Sequence, residues 1–351
     1  MSNAQSLTVA ARLNRALQDL MADDDRVVVL GADIADPYGG AFKVTRGLST
    51  AFGARVWSTP VSEAGMVGVA AGMALAGLRP IVEIMFADFL TLAFDGLFNH
   101  ASKYPAMYGP GAECPVVVRT PAGAGRGYGP THSQCPEKFF LGVPGLAVVA
   151  ANRHLDPRKA LATQLAGPGP TLWVEHKALY GAAATTTSML SSEGWLCREF
   201  ELGGLPAVAQ SQVPIEDCDL VVVAYGETAH MLESIVTRLA IEDEVFCALV
   251  SPARLNPPDL EALWDLVRAT GRVAFVEEGP EAWSWGAELA YRAGRECAAY
   301  LRAAPLSFAS RSDAIPCNMW RESEVVLSPG TVAAGLRALA RHNDRAVIGG
   351  H

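Results

Sequence analysis

Apolar positions along the chain fall into two rhythms. Short unbroken runs, RVVVLGAD (26–33), RPIVEIMF (79–86), CPVVVRTP (114–121), GLAVVAAN (145–152) and TLWVEHK (171–177), are separated by stretches of helical period. Runs of that length, rich in Val, Ile and Leu, predict parallel strands covered by helices on both faces. Ahead of them, Leu13, Leu17 and Leu20 share a helical stripe and predict an opening helix. The rhythm lapses in GAAATTTSMLSSE (181–193), which collects Ala, Thr and Ser. It resumes with DLVVVAYG (219–226), EVFCALVSP (244–252) and RVAFVEEG (272–279), which flank the helical stretches 227–240 and 257–270, and a further helix is predicted near 285–297. The pattern predicts two tandem α/β domains, residues 1–185 and 213–345, joined by a linker at 186–212. The length of 351 residues agrees, since single cores stop growing beyond roughly 250–300 residues.

Composition narrows the function classes. Half the residues are hydrophobic and 19% are charged, which excludes a disordered chain. A net charge of -9 with no cluster of Lys and Arg speaks against a nucleic-acid partner. The seven cysteines are scattered and none forms a C-x-x-C pair, so neither a disulfide framework nor a protein-held metal site is predicted. Reduced thiols imply a cytoplasmic protein. No apolar run approaches the roughly 18 residues of a membrane span, so no membrane association is expected.

In open α/β sheets ligands sit beyond the carboxyl ends of the strands, which directs attention to three loops. In TPVSEAGMVGVAAG (59–72), Ser62 fits an N-cap and Glu63 a first helical turn, where the helix dipole favours a carboxylate unaided. The glycines and alanines behind it weaken a helix, so they point instead to close approach of another backbone, and Glu63 then stands in a poorly solvated place. In GAGRGYGPTHSQCPEKFF (123–140) the glycines resemble a phosphate cradle only loosely, because no Gly-Lys-Ser/Thr follows. A flexible loop delivering His132 to a cleft is better supported than the cradle, although a lone histidine is more often a structural hydrogen-bonder. In MFADFLTLAFDGLFNH (85–100) most of Phe86, Phe89, Phe94 and Phe98 belong to the core, while one at the strand corner can stack on a flat heterocycle. Asp88 and Asp95 fit helix-start and surface positions as well as chemical ones.

Taken in order, LTVAARLNRALQDLMADDDRVVVLGADIADPYGGAFKVTRGL, STPVSEAGMVGVAAGMALAGLRPIVEIMFADF, THSQCPEKFFLGVPGLAVVAANRHLDPRKAL and TLWVEHKALYG resemble one family, as do LVVVAYGETAHML, ARLNPPDL and GRVAFVEEG further on. It is the β subunit of the thiamine-diphosphate-dependent 2-oxo acid dehydrogenases, of the pyruvate and branched-chain kind. The resemblance implies a pyrimidine-binding domain followed by a transketolase C-terminal-type domain. It implies that Glu63 contacts the aminopyrimidine and promotes the proton removal that makes the cofactor a nucleophile, a task of general acid–base catalysis. By position Phe89 would stack on the pyrimidine, Met85 would lie near cofactor and substrate, and His132 would assist acyl transfer. The chain contains no Gly-Asp-Gly, the family's means of holding Mg2+ and diphosphate. That half is therefore expected from a separate α subunit in an α2β2 assembly, with the cofactor shared between chains. The acyl acceptor would be a lipoyl acyltransferase or an acyl carrier protein. The alternative within the superfamily is a split transketolase-like enzyme that moves a two-carbon ketol unit from a sugar. A non-catalytic subunit of the same fold is the remaining reading, and the joint presence of Glu63, Phe89 and His132 speaks against it.

Overall fold

The computed structural model describes residues 7–342 and divides into two compact units. The first comprises the described residues up to Ala124 together with Thr131–Thr185. Its elements in chain order are α1 (Val9–Asp23), β1 (Val27–Gly31), α2 (Leu48–Phe52), β2 (Val56–Ser58), α3 (Glu63–Leu75), β3 (Arg79–Glu83), α4 (Tyr104–Tyr108), β4 (Val117–Ala122), β5 (Ala147–Ala150), α5 (Pro157–Ala166) and β6 (Thr171–His176). Helix α1 starts where the Thr8 hydroxyl accepts from the Ala11 amide, and it buries Leu13, Leu17, Leu20 and Met21. The strands pair in the order β2-β1-β3-β4-β6-β5, all parallel. Because β2 lies on one side of β1 and β3 on the other, the order reverses at β1/β3, the kind of switch point beyond which open α/β sheets hold their ligands. The segment from Met85 to Phe89 leaves the sheet at that point.

The second unit contains Gly125–Pro130 and the described residues from Thr186 onward. Its elements are α6 (Thr187–Ser192), β7 (Leu196–Leu202), β8 (Leu205–Ser211), β9 (Leu220–Ala224), α7 (Gly226–Asp243), β10 (Cys247–Pro252), α8 (Glu261–Thr270), β11 (Val273–Pro280), α9 (Trp285–Glu296), β12 (Leu306–Ser310), α10 (Met319–Val325) and α11 (Pro329–Ala340). The sheet runs β12-β11-β9-β10-β8-β7, with β8 antiparallel to both its neighbours. Its core joins Val222, Leu249 and Val276 of the sheet to Leu232 and Val236 of α7 and Leu336 of α11. No helix among the described residues is long and apolar enough to cross a membrane.

The stretch 186–212, expected as a linker, is instead α6 and the hairpin β7–β8 of this second sheet. Strand β7 reads LCREFEL and lies at the sheet edge with most of its side chains exposed, so it lacks the apolar run that marks the inner strands. Its signal is the turn. Gly203 and Gly204 both take positive φ between the paired Leu202 and Leu205, the geometry of a two-residue hairpin with two left-handed positions.

Candidate active site

Glu63 is the first residue of α3, and the Ser62 hydroxyl ahead of it accepts from the Gly65 amide at 3.2 Å. The cap is thus supplied by Ser62, and Glu63 is free of that duty. It is 7% exposed, and among the described residues no hydrogen bond or ion pair reaches its carboxylate. An acid kept only for the helix dipole would stand in water, since a buried charge without a partner is costly. One face of α3 buries Met66, Val67, Ala70, Ala71 and Ala74. The other presents Val69 and Leu75 to solvent beside Gly68 and Gly72, where an added Cβ would meet nothing within 4 Å. Close packing inside the chain therefore does not explain those glycines.

Helix α3 packs against the tight turn Ala87–Ala93 that follows β3 and carries Phe89. His132 stands against this turn, with its ring centre 4.6 Å from Phe86 and 5.3 Å from Phe89, both edge to face. Its Nδ1 lies 3.0 Å from the Thr131 hydroxyl, and Nε2 has no hydrogen bond from a described residue. Phe89 and His132, both proposed from sequence, are therefore neighbours. Met85 is half-buried two residues beyond β3, and Glu63 heads the helix packed on the turn that follows. Phe94 fits the core reading, stacked on Phe98 at 5.2 Å and tilted onto Phe140 at 5.1 Å. Asp95 is a surface residue beside His100. Asp88 is buried, and its Oδ1 accepts from the Gln134 side chain at 2.8 Å and the Gln134 amide at 3.3 Å.

Sequence reasoning missed a buried charge network beside these residues. Arg119 on β4 is 1% exposed, and its guanidinium donates to both oxygens of Glu175 on β6, at 2.9 and 2.5 Å, and to Glu83 on β3. The Tyr180 hydroxyl donates to Glu175 at 2.6 Å. Burial opposes the charge on Arg119, but the fields of Glu175 and Glu83 outweigh it and hold the guanidinium protonated. Burial pushes the Glu83 carboxyl upward against the pull of Arg119, since one cation serves two acids. Lys177, fully buried, donates to the His132 carbonyl at 2.8 Å and has its ammonium 5.5 Å from the Phe86 ring centre. The available signal was a charge set near the end of each apolar run: Glu83 in RPIVEIMF, Arg119 in CPVVVRTP, Glu175 and Lys177 in TLWVEHK.

The glycine loop is no phosphate cradle. Inside the second unit the Gly125 and Gly127 amides donate to the carboxylate of Glu322 on α10 at 3.0 and 2.9 Å, so a protein acid occupies them. Gly123 adopts φ +92, and an added Cβ would fall 1.8 Å from Nε2 of His176. Gly123→Ala is therefore expected to lower stability by about 1–3 kcal/mol through backbone strain, with the clash adding to it. A thermal melt checks this, and an unchanged Tm would show that the loop can move aside freely.

Comparison with known proteins identifies the family. The chain matches the family described as transketolase, pyrimidine binding domain over residues 5–182, and transketolase, C-terminal domain over residues 209–317. It is 30% identical over 343 residues to the β subunit of acetoin:2,6-dichlorophenolindophenol oxidoreductase of Cupriavidus necator, covering 95% of this chain and 97% of that protein. It is 33% identical over 294 residues to 3-methyl-2-oxobutanoate dehydrogenase subunit beta of Mycobacterium tuberculosis, covering 83% and 80%. It is also 33% identical over 279 residues to the mitochondrial pyruvate dehydrogenase E1 component subunit beta-1 of Arabidopsis thaliana, covering 79% and 74%. A solved structure described as a split gene transketolase, inactive beta4 tetramer, superposes with a TM-score of 0.70 at 20% identity, covering 96% and 99%, which is a likeness of fold. With both of its domains matched in order and its relatives so named, the chain belongs to the transketolase-like thiamine-diphosphate enzymes, among the β subunits of the 2-oxo acid dehydrogenases.

Proposed function

We propose that the chain is the β component of a thiamine-diphosphate-dependent 2-oxo acid dehydrogenase, decarboxylating a 2-oxo acid and passing the acyl unit to a lipoyl or similar acceptor. The observation that carries this is the Glu63 side chain, 7% exposed and without a partner among the described residues, at the head of a helix packed on the Phe89 turn. Those residues fit an aminopyrimidine. Glu63 offers an acid to a ring nitrogen, Phe89 a half-buried aromatic face and Met85 a half-buried apolar contact. When bound, the cofactor supplies a carbon nucleophile and an electron sink for cleavage next to a carbonyl. Glu63 holds and moves a proton at its carboxylate. His132 has Nδ1 engaged by Thr131, so Nε2 is the atom left to exchange a proton with substrate or acceptor, donating in one tautomer and accepting in the other.

Diphosphate and Mg2+ are assigned to a separate α subunit in an α2β2 assembly, because the chain has no Gly-Asp-Gly. The bare glycine face of α3 suits close approach of a second chain. Gly68→Ala is expected to stabilise the isolated chain by about 0.5–1 kcal/mol in urea unfolding, as its Cβ meets nothing there. Gly68→Leu is expected to leave the chain folded but abolish co-elution with the α subunit. Retained co-elution would remove this face from the assembly.

The direct test is co-purification with the chain encoded beside it, followed by a donor screen with thiamine diphosphate, Mg2+ and a dye acceptor. Carbon dioxide release from 2-oxo acids that needs both chains is the expected result. Turnover of a ketose phosphate without carbon dioxide overturns it in favour of ketol transfer, and turnover of acetoin alone overturns the 2-oxo acid donor. A partner lacking Gly-Asp-Gly overturns the two-chain division of the cofactor.

A further inference from the structure

We propose that Asp88 and Lys177 are a pair of buried positioning residues that grip the chain at His132 and two residues beyond it, and set where its imidazole stands. The inference rests on the catalytic reading of His132.

The segment around His132 belongs to no helix or strand. Charged side chains fix it at two points. At His132 itself Lys177, fully buried on the turn after β6, donates from Nζ to the backbone carbonyl at 2.8 Å. Two residues further on, the Gln134 amide and side chain both donate to Oδ1 of Asp88, at 3.3 and 2.8 Å. A backbone bond from the Gly123 amide to the Gln134 carbonyl, 3.2 Å, completes the anchorage.

Asp88 sits between Phe86 and Phe89, the two rings that flank the imidazole, so one short turn supplies both the packing surface and the anchor. Lys177 likewise touches both parts, with its ammonium over the Phe86 ring and bonded to the His132 carbonyl. The imidazole is thereby tied to the Phe86–Phe89 turn by packing and by hydrogen bonds together.

Stability alone is a poor reason for Asp88. It is 7% exposed, and its Oδ2 is buried with no partner among the described residues. Leaving a buried acceptor unsatisfied is unfavourable, more so on a charged group, and a shape-matched apolar residue would avoid it. Gln134, its partner, is exposed. A buried acid holding an exposed glutamine controls the course of the loop, and misplacement of a reacting group by about 1 Å can cost up to 10²-fold in rate.

The test compares Asp88→Ala, Asp88→Asn, Gln134→Ala and the double variant Asp88→Ala/Gln134→Ala in the complete two-chain enzyme. Asp88→Ala is expected to lower kcat about tenfold with the donor KM unchanged, and Asp88→Asn, which keeps the acceptor, is expected to restore most of it. Gln134→Ala removes the side-chain bond from an exposed residue and keeps the backbone amide bond, so folding is preserved and its loss should be smaller than that of Asp88→Ala, and the double variant should lose no more than Asp88→Ala alone, because the two residues act as one unit. In the isolated full chain, the His132 imidazole resonances, identified by their loss in His132→Gln, should shift or broaden in Asp88→Ala, in Gln134→Ala and in Lys177→Met. Unmoved resonances in all three, or additive losses in the double variant, overturn the proposal. Normal turnover by His132→Gln with displaced resonances would instead remove His132 from the chemistry and leave the grip intact.

Discussion

Replacing Glu63 by Gln lowers kcat of the assembled enzyme by about 10²–10⁴-fold, the usual range for loss of a general acid–base group. The substitution keeps size and shape and removes the ability to exchange a proton. Two structural facts separate this outcome from a helix-capping effect. Ser62, not Glu63, caps α3, so the helix start survives. The side chain is 7% exposed and has no partner among the described residues, so a neutral amide of the same shape breaks no contact and is not expected to destabilise the fold. Loss of a dipole interaction alone would cost about 0.3–1 kcal/mol of stability and no catalysis. The signature is therefore a collapse of turnover in a chain whose Tm is equal or higher. Carbon dioxide release at saturating donor, alongside a thermal melt of the free chain, measures both. Unchanged turnover would revive the reading of a non-catalytic subunit.

How far the sequence led depended on whether a residue's role is written in its neighbours along the chain. The inner strands were legible because both their faces are buried and the apolar run is unbroken, as in Val27–Gly31 and Leu220–Ala224. Strand β7 was not, because an edge strand with polar side chains looks like a connecting segment until Gly203 and Gly204 are weighed as a turn. At the site, Glu63 was noticed from its cap and its glycines, but only burial without a partner distinguishes it from an ordinary first-turn acid. Asp88 drew two readings from sequence, and the choice lay in its contact with Gln134, far along the chain. The network of Glu83, Arg119 and Glu175 depends on three strands side by side, with Glu83 directly opposite Arg119 in the register. No local pattern encodes that pairing, although a single charge near the end of an apolar strand was visible in each.

That network carries the second large effect. Replacing Arg119 by Met is expected to destabilise the chain by about 3–5 kcal/mol near neutral pH, because it leaves Glu83 and Glu175 buried without their shared cation. The size of the loss depends on pH, and its sign follows from the carboxyls. Burial already holds the folded-state Glu83 carboxyl above its ordinary value of 4.5. Without Arg119 it is driven further up, so between 4.5 and its folded value the folded chain binds a proton that the unfolded chain has released. Stability of the variant therefore falls as pH rises through that window, and the deficit against the parent is smallest at the acid end. Urea unfolding followed by circular dichroism from pH 4.5 upward measures it. Adding Glu83→Gln to Arg119→Met should recover part of the loss at neutral pH, since one buried charge is removed. The effect also reaches the site, because the Tyr180 ring that donates to Glu175 lies 5.2 Å from Phe42, which stands 5.7 Å from Phe86, the ring against His132. A deficit that stays constant with pH and is untouched by Glu83→Gln would mean that Arg119 acts through packing of its side chain, and the charge balance would then play no part in holding this end of the sheet.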